Sequence, residues 1–177
     1  LQQGINNLVE HNSISYVYGS FIDYWLEVGS VVRYNYGFHS GDDKYSIDPS
    51  TPFYQTIWDG GGNDTISCTA FTLGCKIDLR PGAYSDLRYP TFGSTDPNVY
   101  DGTHNLGIAY GCTIENAEAG SGNDLITGND AANQLNGDAG NDTLIGGLGN
   151  DTLLGGDGAD RLVVDAGVDT VPDLGYG

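Results

Sequence analysis

Residues 137–154 read Gly137-Asp138-Ala139-Gly140-Asn141-Asp142-Thr143-Leu144-Ile145, then Gly146-Gly147-Leu148-Gly149-Asn150-Asp151-Thr152-Leu153-Leu154. The two lines superimpose with a period of nine, and the register extends in both directions. It covers 119–127 and 128–136 upstream, 155–163 downstream, and a worn copy at 164–172. The sixth place holds Asp124, Asn133, Asp142, Asp151, Asp160 and Asp169; the eighth holds Ile126, Leu135, Leu144, Leu153, Leu162 and Val171. An isolated copy stands earlier, at 59–67, with Asp64 and Ile66 in the two key places.

Elementary stereochemistry turns this period into a shape. Glycines early in each unit permit positive φ, so the first six residues turn tightly. The last three make a short strand whose central apolar side chain points inward while its neighbours point out. Two units then form one turn of a parallel coil with a stacked apolar ladder inside. Side chains two repeats apart share an edge, so Asp124, Asp142 and Asp160 line one edge and Asn133, Asp151 and Asp169 the other. Carboxylates stacked in this way repel unless a cation lies between them. Asp and turn-carbonyl oxygens suit Ca²⁺, which takes six to eight oxygens flexibly, better than the strict octahedron of Mg²⁺. An acidic, glycine-rich disordered tail is the bland alternative, but disorder has no use for an apolar residue at every ninth place.

Composition agrees. Glycine is 28 of 177 residues, more than twice the usual ~7%. Acidic residues outnumber basic ones 24 to 6, a net charge of −18. Such a surface argues against nucleic acid, which needs a basic patch, and against anionic membrane. No stretch approaches the ~18 apolar residues of a membrane span. The chain lacks Met, and Leu1-Gln2-Gln3-Gly4 lacks the basic-then-apolar pattern of a signal peptide; the expectation is a processed or excised piece.

Ahead of the repeats, β-type runs at 30–36, 53–58, 64–70, 75–79 and 106–110 alternate with turn signals such as Ser40-Gly41-Asp42-Asp43 and Arg80-Pro81-Gly82. Only 3–18 offers room for a helix. The expected class is all-β, a β-sandwich flowing into the coil. Cys68 and Cys75 close a small disulfide loop or remain two free thiols, and Cys112 reads as a buried small hydrophobe. Asn-Asp-Thr at 63–65, 141–143 and 150–152 fits a glycosylation acceptor but overlaps the turns, so it reads as a false positive.

The nonapeptide resembles the RTX calcium motif. Ile14-Ser15-Tyr16-Val17-Tyr18-Gly19, Tyr36-Gly37-Phe38, Ile57-Trp58-Asp59-Gly60-Gly61-Gly62-Asn63-Asp64-Thr65, Cys112-Thr113-Ile114-Glu115-Asn116-Ala117 and Gly120-Ser121-Gly122-Asn123-Asp124 follow in order. Together they resemble the C-terminal domain of serralysin-type secreted metalloproteases. The resemblance implies a β-sandwich continuing into a right-handed parallel β-roll that binds several Ca²⁺ ions and serves folding and type I export. It implies calcium turns at Asp59, Gly61, Gly62 and Asp64, and at Thr113 and Glu115 with Gly120, Gly122 and Asp124. Further turns follow at Asn129, Ala131 and Asn133; at Gly137, Ala139, Gly140 and Asp142; and at Gly146, Leu148, Gly149 and Asp151. Gly155, Asp157, Gly158 and Asp160, then Asp165, Gly167 and Asp169, complete the set. The division implied is 1–40 as a remnant or junction with a preceding domain, 41–118 as sandwich, 119–172 as roll, and 173–177 as a truncated tail.

The protease motif His-Glu-x-x-His, which holds Zn²⁺ and activates water, does not occur; His11, His39 and His104 are isolated. This chain carries no catalytic motif, and Zn²⁺ belongs to an expected N-terminal protease partner. The expected location is secreted and extracellular. The alternative is the calcium-roll binding module of a mannuronan epimerase-like enzyme or an adhesin, with tyrosines between Tyr16 and Tyr110 as a glycan-binding face.

Overall fold

The computed structural model describes residues 22–25, 31–34, 41–50, 53–89 and 101–172. One three-residue strand just ahead of the repeats, β9 (Asn116–Glu118), is followed by five within them: β10 (Leu125–Thr127), β11 (Gln134–Asn136), β12 (Thr143–Ile145), β13 (Thr152–Leu154) and β14 (Arg161–Val163). Alternate strands pair in parallel, Ile126 opposite Leu144, Leu144 opposite Leu162, and Leu135 opposite Leu153. Each pair is two nonapeptides apart, which is the coil the period predicts. Ile126, Leu135, Leu144 and Leu153 are fully buried. The ladder opens at its end, where Leu162 and Val171 are only partly buried.

The two sheets of the coil continue upstream of the repeats. β6 (Lys76–Asp78) pairs with β10, β5 (Thr65–Ser67) with β9, and β3 (Lys44–Ser46) with β5, all parallel. One sheet is therefore β14-β12-β10-β6 and the other β13-β11-β9-β5-β3. No break in hydrogen bonding falls at 118, because Ile66 sits opposite Ala117 and Ile77 opposite Ile126.

The longer connections build a third sheet. β1 (Ile22–Trp25), β2 (Val31–Tyr34), β4 (Phe53–Ile57), β7 (Tyr84–Ser85) and β8 (Leu106–Ile108) take the order β1-β2-β4-β8-β7. This mixed sheet is what the described residues show of the expected sandwich. It shares one apolar core with the coil, since Phe53, Ile66 and Ile77 belong to a single buried cluster. Tyr89 joins the two parts through an edge contact to Phe53 at 5.9 Å and a tilted one to Phe71 at 6.0 Å. The segments 3–18 and 173–177 lie outside the described residues. Among the described residues there is no helix, and none is long and apolar enough to cross a membrane.

Candidate functional site

The turns between strands stack as tightly as the strands do. Gly140 and Gly158 have φ of +140° and +136°. A methyl on either would lie 2.0 Å from the Gly122 carbonyl oxygen or 1.7 Å from that of Gly140. No side chain fits there, so the glycine spacing is a contact requirement as well as a dihedral one.

Within this frame the sixth-place aspartates each use one carboxylate oxygen to hold the preceding turn. Asp142 Oδ1 accepts the amide of Asp124 at 2.8 Å, and Asp160 Oδ1 accepts that of Asp142 at 2.9 Å. On the other edge, Asp151 Oδ1 accepts from Asn133 at 2.8 Å and Asp169 Oδ1 from Asp151 at 3.1 Å. Upstream, Asp124 accepts from Cys75 at 2.6 Å, Asp64 from Asp43 at 2.8 Å, and Glu115 Oε2 from Asp64 at 2.8 Å. The second oxygens of Asp64, Asp124, Asp142 and Asp151 are buried without a hydrogen-bond partner. A buried polar atom left in that state costs about 1–3 kcal/mol, more if charged.

Electrostatics points the same way. Burial raises the carboxyls of Asp64, Asp124, Asp142 and Asp151 above the usual range, Asp142 to about 6. Backbone donors oppose the rise, while neighbouring carboxylates add to it, among them Asp124 and Asp160 beside Asp142. A cation beside them would oppose this rise and favour the ionised form. Asp43, Asp59 and Asp64 bring ligand oxygens within 4.8 Å of one another, as do Asp151, Asp165 and Asp169. Tyr45 donates its hydroxyl to Asp59 Oδ2, and Asp59 Oδ1 caps the Gly61 amide at 2.7 Å.

The remaining expected residues fall into place unevenly. Gly120 and Gly137 are buried against the carbonyls of Phe71 and Gly155, and Gly146 and Gly155 against the aspartates of their own units, Asp151 and Asp160. Gly62 packs on the Gly41 carbonyl and Gly122 on Gly74, and Gly149 and Gly167 stack on Ala131 and Gly149 respectively. Thr113, Leu148, Asp157 and Asp165 have exposed side chains, so any ligand role falls to their carbonyls or, for the aspartates, to the turn edge. The Gly120 and Asp157 carbonyls also accept the amides of Ala139 and Gly140. Asn133 differs from the aspartates: its Oδ1 accepts the Asn129 amide at 2.8 Å and its Nδ2 donates to the Glu115 carbonyl at 2.9 Å. Asn129 in turn caps Ala131 at 2.9 Å and donates to Ile114 and Leu79. That turn is held by amides and leaves no unpartnered buried oxygen.

Three features escape the reading by nonapeptides. Gly41-Asp42-Asp43-Lys44-Tyr45-Ser46 occupies the coil as a worn copy of Gly62-Asn63-Asp64-Thr65-Ile66-Ser67, and it contributes Asp43. The signal was the shared Gly-x-Asp, hidden by Tyr45 in the apolar place. Second, the fifth place forms its own ladder, with Asn123 Oδ1 accepting from Asn141 and Asn141 Oδ1 from Ala159, at 2.9 and 2.8 Å. Third, Cys75 stands where the next turn has Asp124. All three cysteines are free and buried.

The family described as peptidase M10 serralysin, C-terminal, matches residues 30–174. The chain belongs to this family. It is 37% identical over 133 residues to the metallopeptidase AprA of Pseudomonas marginalis, covering 68% of this chain and 25% of that protein. It is 42% identical over 126 residues to the metalloprotease AprA of Pseudomonas entomophila, 70% of this chain and 22% of that one. A serralysin of Photorhabdus laumondii is 43% identical over 103 residues, 56% of this chain and 19% of that protein. The chain thus spans about a quarter or less of these relatives. The match favours association with a serralysin-like protease over the epimerase or adhesin alternative.

Proposed function

We propose that this domain is a calcium-binding module that folds when it meets external Ca²⁺ and supports the export and stability of a serralysin-like zinc metalloprotease. The observation that carries the reading is the set of buried, unpartnered oxygens on Asp64, Asp124, Asp142 and Asp151, repeating along the coil. The residues fit the ion: Ca²⁺ would take carboxylate oxygens from these four, with Asp43, Asp59, Asp160, Asp165 and Asp169 and turn carbonyls beside them. Bound there, it supplies the positive charge that a chain of net charge −18 lacks. Each site filled only in the folded state adds about 2.7 kcal/mol at a hundredfold excess over its Kd. Four sites add roughly 11 kcal/mol, comparable to the whole stability of a domain.

Carboxylate repulsion then keeps the coil open where calcium is scarce, and a calcium-rich exterior closes it. That sequence suits a chain that leaves the cell unfolded and folds outside, in a secreted, extracellular setting. Zn²⁺ belongs to the protease domain proposed to precede this one. The test is a far-UV spectrum in excess EGTA, followed by Ca²⁺ and, in parallel, Mg²⁺. A β signal that requires Ca²⁺ is expected; a full β signal in EGTA refutes the folding switch. Reading the coding sequence upstream of Leu1 tests the protease association, which an unrelated domain there would sink.

A further inference from the structure

The turn that joins β5 to β6 is a member of the coil in which cysteines replace the usual residues at two places. The Cys68 amide donates to the Glu118 carbonyl at 2.7 Å, the bond that Gly137 makes to Leu154 and Gly128 to Ile145 as the first residue of a unit. The Cys75 amide donates to Asp124 Oδ1, the bond that Asp124 makes to Asp142 as the sixth residue. Cys68 and Cys75 are therefore the first and sixth residues of one turn. In the regular units those places nearly touch: a Cβ on Gly137 would lie 3.0 Å from that of Asp142, on Gly146 3.2 Å from Asp151, and on Gly155 2.9 Å from Asp160. A disulfide needs about 3.5–4.5 Å between its Cβ atoms. The cysteine turn has six residues between the two places, 69–74, where a regular unit has four, such as 138–141, and the longer arc leaves room for that extra separation.

We propose that Cys68 and Cys75 are a disulfide staple, closed by a small-molecule disulfide such as oxidised glutathione, which fastens this turn covalently where other turns use an aspartate. One cysteine thiolate attacks the glutathione disulfide, forming a mixed disulfide and releasing one reduced glutathione. The second thiolate attacks the protein sulfur of that mixed disulfide and releases the other. The two thiol protons end on the two glutathione thiols, and the two electrons reduce the glutathione disulfide. Cys112 takes no part: its sulfur accepts the Asp59 amide at 3.1 Å. In the folded chain both cysteines are sealed, Cys68 at 0% and Cys75 at 3% exposure. Closure therefore accompanies folding and does not follow it. The inference stands on the turn geometry and holds whether or not the aspartate turns bind calcium.

The test folds the reduced chain by adding Ca²⁺ in a buffer of reduced and oxidised glutathione, then maps peptides without reduction after alkylation in denaturant. The expected product has lost two hydrogens, about 2 Da, carries a 68–75 crosslink and is alkylated at Cys112 alone. A chain folded first in Ca²⁺ and then exposed to the same buffer should crosslink at least tenfold more slowly. Three alkylated cysteines, stable glutathione adducts on Cys68 or Cys75, or crosslinks to Cys112 overturn the proposal. If the chain fails to fold in Ca²⁺ the calcium reading falls, and the same map on chain oxidised without metal still decides the staple, by crosslink or by its absence.

Discussion

Between residues 119 and 163 equivalent places on the coil are 18 residues apart, whereas upstream they are 21, 49 and 51 apart, and yet the same two sheets run through both regions. The difference shows which parts of the repeat are structural requirements. A small residue packed on a neighbouring turn's carbonyl persists through both, and so, except at Cys75 and Asn133, does a sixth-place side-chain oxygen that accepts the preceding turn's amide. Constant spacing does not. The extra residues upstream build the third sheet and bring Phe53, Phe71, Leu87 and Tyr89 into the core. In the regular region four of the five units have a fully buried rung, Ile126, Leu135, Leu144 and Leu153, and each is aliphatic. In the proposed reading, the calcium that the stacked carboxylates would hold makes up the difference.

The largest effect that follows is a division of the molecule on calcium removal. In excess EGTA the amides of β10 to β14 should exchange with solvent like those of an unfolded chain, while β4 and β8 keep measurable protection. Hydrogen exchange read by mass spectrometry checks this, and uniform protection across both regions would dissolve the contrast. Next comes the ladder itself. Leu144→Ala empties a fully buried rung and should cost about 2–5 kcal/mol of calcium-loaded stability. Leu162→Ala, at the open end, should cost less than half as much in the same denaturant titration.

Gly140→Ala asks whether turn contact matters as much as the rungs. The methyl meets the Gly122 carbonyl at 2.0 Å in a region of positive φ, so a loss of about 1–3 kcal/mol is expected. A neutral result would mean the turns have slack. The smallest effect concerns pH. Asp142 is held by burial at about 6, against 3.8 for an ordinary carboxyl. A carboxyl raised in this way disfavours folding when ionised. The metal-free chain should therefore gain stability as pH falls from 7 through about 6 toward 4, by at most on the order of 3 kcal/mol from this group. The calcium-loaded chain should lose stability over the same range, because protons compete for the ligands. Thermal midpoints with EGTA and with Ca²⁺ should thus converge; parallel curves would contradict the assignment.

The regular half of this fold was legible because period, turn and burial coincide there: Leu144 is fully buried and Asp142 stacks on Asp160, as the register requires. The upstream half was legible only as strands. Runs expected at 53–58, 75–79 and 106–110 appear as Phe53–Ile57, Lys76–Asp78 and Leu106–Ile108, but nothing in their local sequence says which sheet they join. β3 was hidden altogether, because Gly41-Asp42-Asp43 reads as a chain breaker when its partner Asp64 lies 21 residues away. Among the site residues, aspartates announced themselves through the period. Asp43, the Asn123–Asn141 ladder and the place of Cys75 became visible only through pairing.

The central claim is that the buried second oxygens of Asp64, Asp124, Asp142 and Asp151 face calcium. The most direct measurement is anomalous difference density from crystals of the chain grown in Ca²⁺ and measured at long wavelength. Peaks beside those four oxygens, lost selectively at Asp142 in the Asp142→Asn variant, are the predicted result. Well-ordered turns with water or nothing at those oxygens, in crystals soaked to millimolar calcium, would contradict it.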